Sequence, residues 1–595
     1  MTNNDNLVSI ADLARILDMS RQGITKKLDK TGLQPKKEVG SSFLYAIDEL
    51  PADLRERIRN VQKGAIEAAI HGGNAKHRDI NFETELWAAA DKLRGNIDTS
   101  EYKNIVLGLL FLKYISDAFY KRREELEAKT RDSKNKQYYV ADEKARKQLL
   151  ELKDFYTAAS VFYVPEKSRW EYLQSRTASA EIGQILDKAM EYIENDNRSQ
   201  LEGVLPKIYA KANLDYTVIA ELINIFSRIK FDHNFDKEKD VLGRIYEYFL
   251  GKFASAEGKR GGEFFTARSV VKLLVEVLEP YENARVFDPA AGSGGMFVTM
   301  AAYLKEHGMD ESKLAISGQE NNQTTLRLCK MNLAIRGLSG KIELGNTYYQ
   351  DKFPSLRADF VIANPPFNAD WEPSKLADND PRITLGLPPS GNANFMWIQH
   401  FIHHLAPNGM AGFVMPNGAL AVSGREGELR KKLIEQDLVD VIIACPSKLF
   451  YNVTLPVSLW FVAKNKSGDR FRKRAGETLF IDARDTFEQI SRKQVVFTDA
   501  HLEKIAGTVR AWRGEQGTKK YKDIAGFCKA ATLADIAKNG HVLTPGRYVG
   551  LVDEIDDGIS FEEKMKGFSS ELRAAFTKGR ELEKEIEKNL KELGF

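Results

Sequence analysis

Apolar positions recur at two periods along this chain, and the change between them divides it. Up to about residue 253 they fall three and four apart, the spacing of one helix face. Near the start, Ile10, Leu13, Ala14 and Leu17 follow Ser9, whose hydroxyl suits a helix N-cap. The turn Asp18-Met19-Ser20 then leads to a second short helix expected over 21–28, with Ile24 and Leu28 inward. Two short helices around a tight turn have the form of a helix-turn-helix, with Arg21, Gln22, Thr25 and Lys26 on the outer face of the recognition helix. A small helical docking module is the competing reading. Lys36-Lys37 and Phe43-Leu44-Tyr45 are expected to form a hairpin wing. Residues 64–80, with Gly72-Gly73-Asn74, read as a linker.

From 81 to 253 the pattern predicts a helical domain. Leu86, Ala90, Leu93 and Ile97 begin it, and Val106, Leu109, Leu110 and Tyr114 belong to a helix apolar enough for a core. Residues 121–153 are rich in both charges and predict a solvated helix. Val241, Leu242, Ile245, Tyr246 and Phe249 mark another helix over 240–249.

The period then shortens. Apolar strands expected at 285–287, 315–318, 341–344, 360–363, 410–414, 439–444 and 459–462 alternate with helical stretches. Such alternation implies an α/β domain, a mostly parallel sheet covered by helices. Beyond about 465 the pattern is mixed. At the end, Leu572, Phe576, Leu582, Ile586, Leu590 and Leu593 form a seam among Glu and Lys residues, a coiled-coil-like helix suited to docking a partner.

Composition narrows the class only modestly. With 43% hydrophobic and 29% charged residues and a net charge of +3, the 595-residue chain has the makeup of a soluble protein of several domains. Cys329, Cys445 and Cys528 are too far apart for a metal-binding or redox pair and fit a reducing cytoplasm. No metal site is expected. The polar start lacks the pattern of a signal peptide, and the most apolar run, 105–115, is too short to span a bilayer.

The chemistry is expected at three strand ends. Asp288-Pro289-Ala290-Ala291-Gly292-Ser293-Gly294-Gly295-Met296 follows the first strand and opens a helix. Its glycines let backbone approach a ligand, and the helix start offers N–H donors. The carboxylate ahead of the glycines favours a ligand end that is cationic. S-adenosylmethionine fits, with its ammonium facing Asp288. Glu320 at the tip of the second strand is placed to accept ribose hydroxyls. After the fourth strand come Asn364, Pro365, Pro366 and Phe367. Proline ends the ladder there, leaving an amide, carbonyl oxygens and an aromatic face at the sheet mouth, groups able to hold a planar ring with an exocyclic amine.

The Asp288–Met296 stretch followed by Asn364-Pro-Pro-Phe367 resembles the DNA amino-methyltransferases, in the motif order of their gamma class. More narrowly, residues 81 to about 550 resemble the modification (M) subunit of Type I restriction–modification systems. Leu86-Trp87, Glu101-Tyr102-Lys103, Gly261-Gly262-Glu263-Phe264-Phe265-Thr266, Gly391-Asn392-Ala393-Asn394-Phe395 and Pro545-Gly546-Arg547-Tyr548 carry the likeness. The resemblance implies a Rossmann-like S-adenosylmethionine-dependent methyltransferase domain (254–540) behind a helical domain (81–253), with the helix-turn-helix-like module (1–63) as an addition and a tail and helix (541–595) as specificity-subunit dock. It implies cofactor binding by Phe265, Thr266, Asp288, Ala290, Gly292, Ser293, Gly294 and Glu320. Asn346 stands where many relatives have an acidic residue near the cofactor adenine or the target. Asn364, Pro365, Pro366 and Phe367 match the catalytic motif.

The implied reaction is direct methylation of adenine N6 in double-stranded DNA. Asn364 and the Pro365 carbonyl would accept hydrogen bonds from the amine, while Phe367 stacks on the extruded base. The residues after the motif, 368–394, are expected to form a mobile lid or DNA-facing loop. Implied partners are a specificity (S) subunit, a second M subunit and a restriction (R) subunit. No phosphate-binding G-x-x-x-x-G-K-[ST] loop is present, so the motor function is expected on another chain. The same planar-amide chemistry serves methylation of protein glutamine or of RNA, and a DNA-binding regulator with a non-catalytic methyltransferase fold is the remaining alternative.

Overall fold

In the computed structural model, the described residues are 86–91, 93–95, 97–211, 215–228, 243–253, 266–450, 456–491, 494–550 and 561–592, with 7–9, 28, 37–39, 42–46 and 50 near the start. The chain divides into two compact units, Met1–Gly95 and Asn96–Phe595. In the first unit, β1 (Leu7–Ser9), β2 (Lys37–Val39) and β3 (Ser42–Ala46) form an antiparallel sheet in the order β1-β3-β2. The expected hairpin is therefore present, as β2 and β3. The expected helix-turn-helix over 10–28 lies outside the described residues, except for the buried Leu28.

The second unit opens with a helical layer. Its long helix α1 (Thr99–Arg131) buries Ile105, Val106, Leu109, Leu110 and Ile115. Lys113, which interrupts this apolar run in sequence, is paired with Asp117 one turn on. The helix α3 (Tyr216–Ser227) packs on α1, and α2 (Ile182–Asp196) packs on α3. Cross-links between segments include Trp170 N–H to Ser116 Oγ (2.8 Å) and Tyr209 O–H to the Ile105 carbonyl (3.1 Å). The charged stretch 121–153 is not one helix. It breaks after Arg131, and Asp142 restarts it by accepting from Lys144 N and Ala145 N as the cap of Glu143–Leu149. A further helix, α4 (243–253), then leads toward the sheet.

All seven expected strands are present: β4 (Arg285–Asp288), β5 (Ala315–Glu320), β6 (Gly340–Leu344), β7 (Ala358–Ala363), β8 (Leu405–Pro416), β9 (Val439–Ala444) and β10 (Val457–Ala463). Two more, β11 (Glu477–Asp482) and a last strand Cys528–Thr532, extend the same sheet to nine strands. From one edge, after that last strand, the order is β11-β9-β10-β8-β7-β4-β5-β6. Strands β4 to β8 are mutually parallel where they pair, while β10 runs antiparallel to both β8 and β9.

Strand alternation divides the core into two layers. Val286, Phe360, Ile362 and Met410 face α5 (Arg268–Leu278), α6 (Gly295–Glu306) and α7 (Gln323–Ile335). Phe287, Val361, Ala363 and Ala411 face α8 (Asn394–His404) and α9 (Gly424–Glu435). Helices on both sides explain why β9 is buried along its whole length. A buried ionic knot pins the late elements. Asp440 on β9 accepts from Arg474 (2.7 Å) and from Arg513 (3.1 Å), the latter on α10 (Asp499–Arg513), and Arg513 also reaches the Val277 carbonyl (2.5 Å). Residues beyond 540 still belong to this packing, since Tyr548 stacks on Phe480 of β11 at 3.9 Å between ring centres. The chain then ends in α11 (Phe561–Glu592).

Candidate active site at the carboxyl ends of the central strands

Strands β7, β4 and β5 are parallel neighbours in the sheet and end on the same side, where ligands bind in open α/β sheets. Each carries one expected chemical group at its carboxyl end.

At the end of β4, Asp288 is 1% exposed and accepts from Ala290 N–H at 2.9 Å. Burial, with Glu320 close by and the Ala290 N–H opposing, pushes this carboxyl up to about 8. The turn that follows needs glycine twice, with φ of +53° at Gly292 and +79° at Gly294. At Gly294 a side chain is also excluded by space, because a Cβ would lie 2.9 Å from Cys329 Sγ. Gly294 is the N-cap of α6 and provides no side chain, so the first N–H groups of that helix face the turn. Ala290 and Ser293 lie in this turn, both partly buried.

Glu320, at the tip of β5, braces the same turn. Its two oxygens accept from Gly292 N–H and Asn322 N–H, each at 2.9 Å. Beyond β6, Asn346 is exposed and folds its oxygen back onto Tyr348 N–H at 3.0 Å. The neighbouring Thr347 hydroxyl donates to the Pro289 carbonyl at 2.7 Å, tying this loop to the glycine turn.

Asn364 follows β7. Its Nδ2–H donates to the Thr266 hydroxyl oxygen at 2.8 Å, and its Oδ1 is buried without a hydrogen-bond partner. A buried carbonyl oxygen without a partner costs free energy, about 1–3 kcal/mol, unless a ligand supplies the donor. Pro365 is buried, Pro366 and Phe367 are half-buried, and Phe367 rests against the core on the α5–α7 side. Thr266, expected among the cofactor contacts, thus holds the amide of the candidate catalytic residue. Phe265 lies outside the described residues.

Sequence reasoning missed the residues that hold this turn in place. Asn368, at φ +49°, receives a reciprocal clamp from Asn394 at the start of α8: Asn368 N–H donates to Asn394 Oδ1 (3.0 Å) and Asn394 Nδ2–H to Asn368 Oδ1 (2.8 Å). Arg382 donates to the carbonyls of Thr347 (2.6 Å) and Tyr348 (2.7 Å) and pairs with Asp380. With Trp371, Arg382 and Leu385 all buried, the segment 368–394 is packed onto the domain and not a loose lid. The signals in sequence were Asn394 within the matched Gly391–Phe395 stretch, to which no role was given, and a buried-type aromatic and a lone Arg in a Gly/Pro-rich stretch.

Asp351, His400 and His404 also converge, with ligand-type atoms within 4.8 Å of one another. His404 lies between Asp351 Oδ2 (3.1 Å) and the Leu356 carbonyl (3.2 Å). Arg382, always a donor, sits 3.3 Å from His400 Nδ1, so the hydrogen of neutral His400 is on Nε2. That leaves no lone pair at Nε2 for a metal and puts a guanidinium beside the cluster. It reads as a buried His–carboxylate pair beneath Phe287, which packs against both imidazoles.

The chain is similar to proteins already known. Residues 237–557 match the N-6 DNA Methylase family, and residues 82–226 match the HsdM N-terminal domain. The Type I restriction enzyme MjaIX methylase subunit of Methanocaldococcus jannaschii is 47% identical over 520 residues, covering 86% of this chain and 92% of that protein. The HindI methylase subunit of Haemophilus influenzae is 42% identical over 456 residues, 73% of this chain and 100% of that protein. A solved type I restriction-modification methyltransferase subunit from Streptococcus thermophilus matches with a TM-score of 0.64 at 25% identity, over 79% of this chain and 99% of that one.

Proposed function

Since the chain belongs to the N-6 DNA methylase family, we propose that it is the methylase subunit of a Type I restriction–modification enzyme and methylates N6 of adenine in double-stranded DNA. The observation that carries this reading is the unpartnered, buried Oδ1 of Asn364, held in orientation by Thr266. It is an acceptor waiting for a donor at the mouth of the sheet, and an exocyclic amine supplies one.

S-adenosylmethionine, when bound, supplies an electrophilic methyl on its sulfonium. The residues at hand fit it: the buried Asp288 carboxyl suits its ammonium, the glycine turn and the start of α6 offer N–H groups to its carboxylate, and Glu320 at the tip of β5 is assigned to its ribose hydroxyls. Ala290, Gly292, Ser293 and Gly294 form the turn around it, Asn346 flanks it, and Phe265 and Thr266 are assigned as further cofactor contacts. Asn364 Oδ1 and the Pro365 carbonyl accept from the amine and draw its nitrogen out of conjugation with the ring. Pro366 fixes the backbone of this turn, and Phe367 stacks on a base extruded from the duplex. Most of the rate enhancement then comes from positioning.

Assembly follows from α11. Met565, Phe568, Leu572, Phe576, Leu582 and Ile586 are all exposed, the most open being Phe568 at 63%. So large an apolar row on a charged helix calls for a partner, and a specificity subunit is the occupant this reading assigns. A second M subunit and a restriction subunit complete the enzyme. Residues 1–63 are assigned as a helix-turn-helix-like DNA contact. Three free, buried cysteines fit a cytoplasmic setting, and among the described residues no helix is long and apolar enough to cross a membrane. Co-expression with a specificity subunit, followed by mapping of methylated adenines, tests the assignment. Methyl transfer to protein or RNA in place of DNA would refute it.

A further inference from the structure

The glycine turn is held by a side-chain relay that reaches back to α4. Asn332 lies on the buried face of α7, where Leu328, Cys329, Met331 and Leu333 are apolar. A buried amide on such a face is costly unless both its ends are bonded, and here both are. Its Nδ2–H donates to the Ser293 carbonyl at 2.8 Å, and its Oδ1 accepts from Arg336 Nη1 at 2.5 Å. The same guanidinium donates through Nη2 to the Gly243 carbonyl (3.0 Å) and to Glu247 (2.8 Å), both on α4. Gly243 leaves the room this needs, since a Cβ there would sit 3.0 Å from Nη2. Tyr246 O–H adds a second tie from α4 to α7, donating to the Leu328 carbonyl at 3.4 Å.

We infer that Asn332 and Arg336 are positioning residues for the cofactor turn, acting on Ser293 from α7 and anchored to α4 by Gly243 and Glu247. The inference rests on the reading of residues 288–295 as the turn that meets S-adenosylmethionine. Arg336 orients the Asn332 amide, and the amide fixes the Ser293 peptide between the two glycines that need positive φ. With that peptide held, the N–H groups at the start of α6 keep one direction. The relay thus ties α4 through α7 to the turn that follows β4.

The test uses the full chain, calorimetric titration with S-adenosylmethionine, and methyl transfer to DNA in the assembled enzyme. Asn332→Leu keeps the volume and removes both hydrogen-bonding ends, and Arg336→Met keeps the stem and removes the guanidinium. Both are expected to raise the cofactor Kd, about tenfold and about threefold respectively, with kcat at saturating cofactor within about twofold of the parent. A purely structural role would lower the melting temperature and leave Kd alone, and that result overturns the inference. If Asn332→Leu does not fold, Arg336→Met and Glu247→Gln, which alter the partly exposed members, decide on the same readout. Absence of cofactor binding by the parent chain would instead remove the cofactor reading itself, and the inference with it.

Discussion

The Asn364 amide donates to the Thr266 hydroxyl oxygen at 2.8 Å, across 98 residues of sequence, and this bond fixes which end of the amide faces the site. Because Nδ2 is spent on Thr266, Oδ1 is the end left without a partner. Asn364→Ala removes the acceptor, and methyl transfer is expected to fall by about a hundredfold or more, the scale for one preorganised hydrogen-bonding group. Cofactor affinity, measured by calorimetry, should stay near that of the parent. Thr266→Val keeps the shape and frees the amide to rotate, so a smaller loss, about tenfold in kcat, is expected.

With Asp288 against the cofactor's ammonium, as proposed, cofactor binding is expected to depend on pH. Its folded value, pushed up to about 8 by burial, lies above the unfolded one. A group raised in this way contributes stability that is complete below its unfolded pKa, about 3.9, and is lost as pH rises through the folded value. The ligand-free chain therefore loses stability through neutral pH on account of this carboxyl. A cation against the ionised form restores it. The rise in melting temperature on adding S-adenosylmethionine is thus expected to be larger at about pH 8 than at about pH 6, and Asp288→Asn should flatten that difference. An equal rise at both pH values in the parent would contradict the assignment.

The two glycines of the turn should respond differently to alanine. At Gly292 φ is positive and the nearest atom to an added Cβ, the Ala290 carbonyl oxygen, is 3.9 Å away. Only conformational strain applies there, about 1 kcal/mol. At Gly294 strain is joined by collision with Cys329 Sγ, so Gly294→Ala is expected to cost more, about 2–4 kcal/mol in denaturant unfolding. Similar losses at both sites would mean that the turn relaxes.

The architecture was largely legible in sequence because each central strand is an apolar run bounded by turn residues. Asp288, Glu320 and Asn364 were legible for the same reason, since each directly follows or ends such a run. What escaped lies in long-range pairing. Nothing near Thr266 points to Asn364, and Asn394 meets Asn368 only because α8 begins beside the end of β7. The late strands β11 and Cys528–Thr532 were hidden by the mixed pattern beyond 465, where Arg474 and Arg513 turn out to be bound inward to Asp440. The charge-rich run after α1 misled in another way, since composition alone does not reveal the Asp142 cap that restarts the helix.

The exposed row on α11 carries its own expectation. Truncation after Met565 removes Phe568, Leu572, Phe576, Leu582 and Ile586 together. The shortened chain should still fold and bind cofactor, because Tyr548 and the sheet it packs on are retained, but it should no longer co-purify with a specificity subunit. Unchanged co-purification would place that contact elsewhere.

The most direct test is transfer of a labelled methyl group from S-adenosylmethionine to duplex DNA by this chain assembled with its specificity subunit, compared with the Asn364→Ala enzyme. The label is expected on adenine N6 in the parent reaction and at a rate lower by about a hundredfold or more in the variant, with cofactor bound in both. Label on DNA at an undiminished rate with Asn364→Ala, or none with the parent despite bound cofactor and partner, would contradict the account.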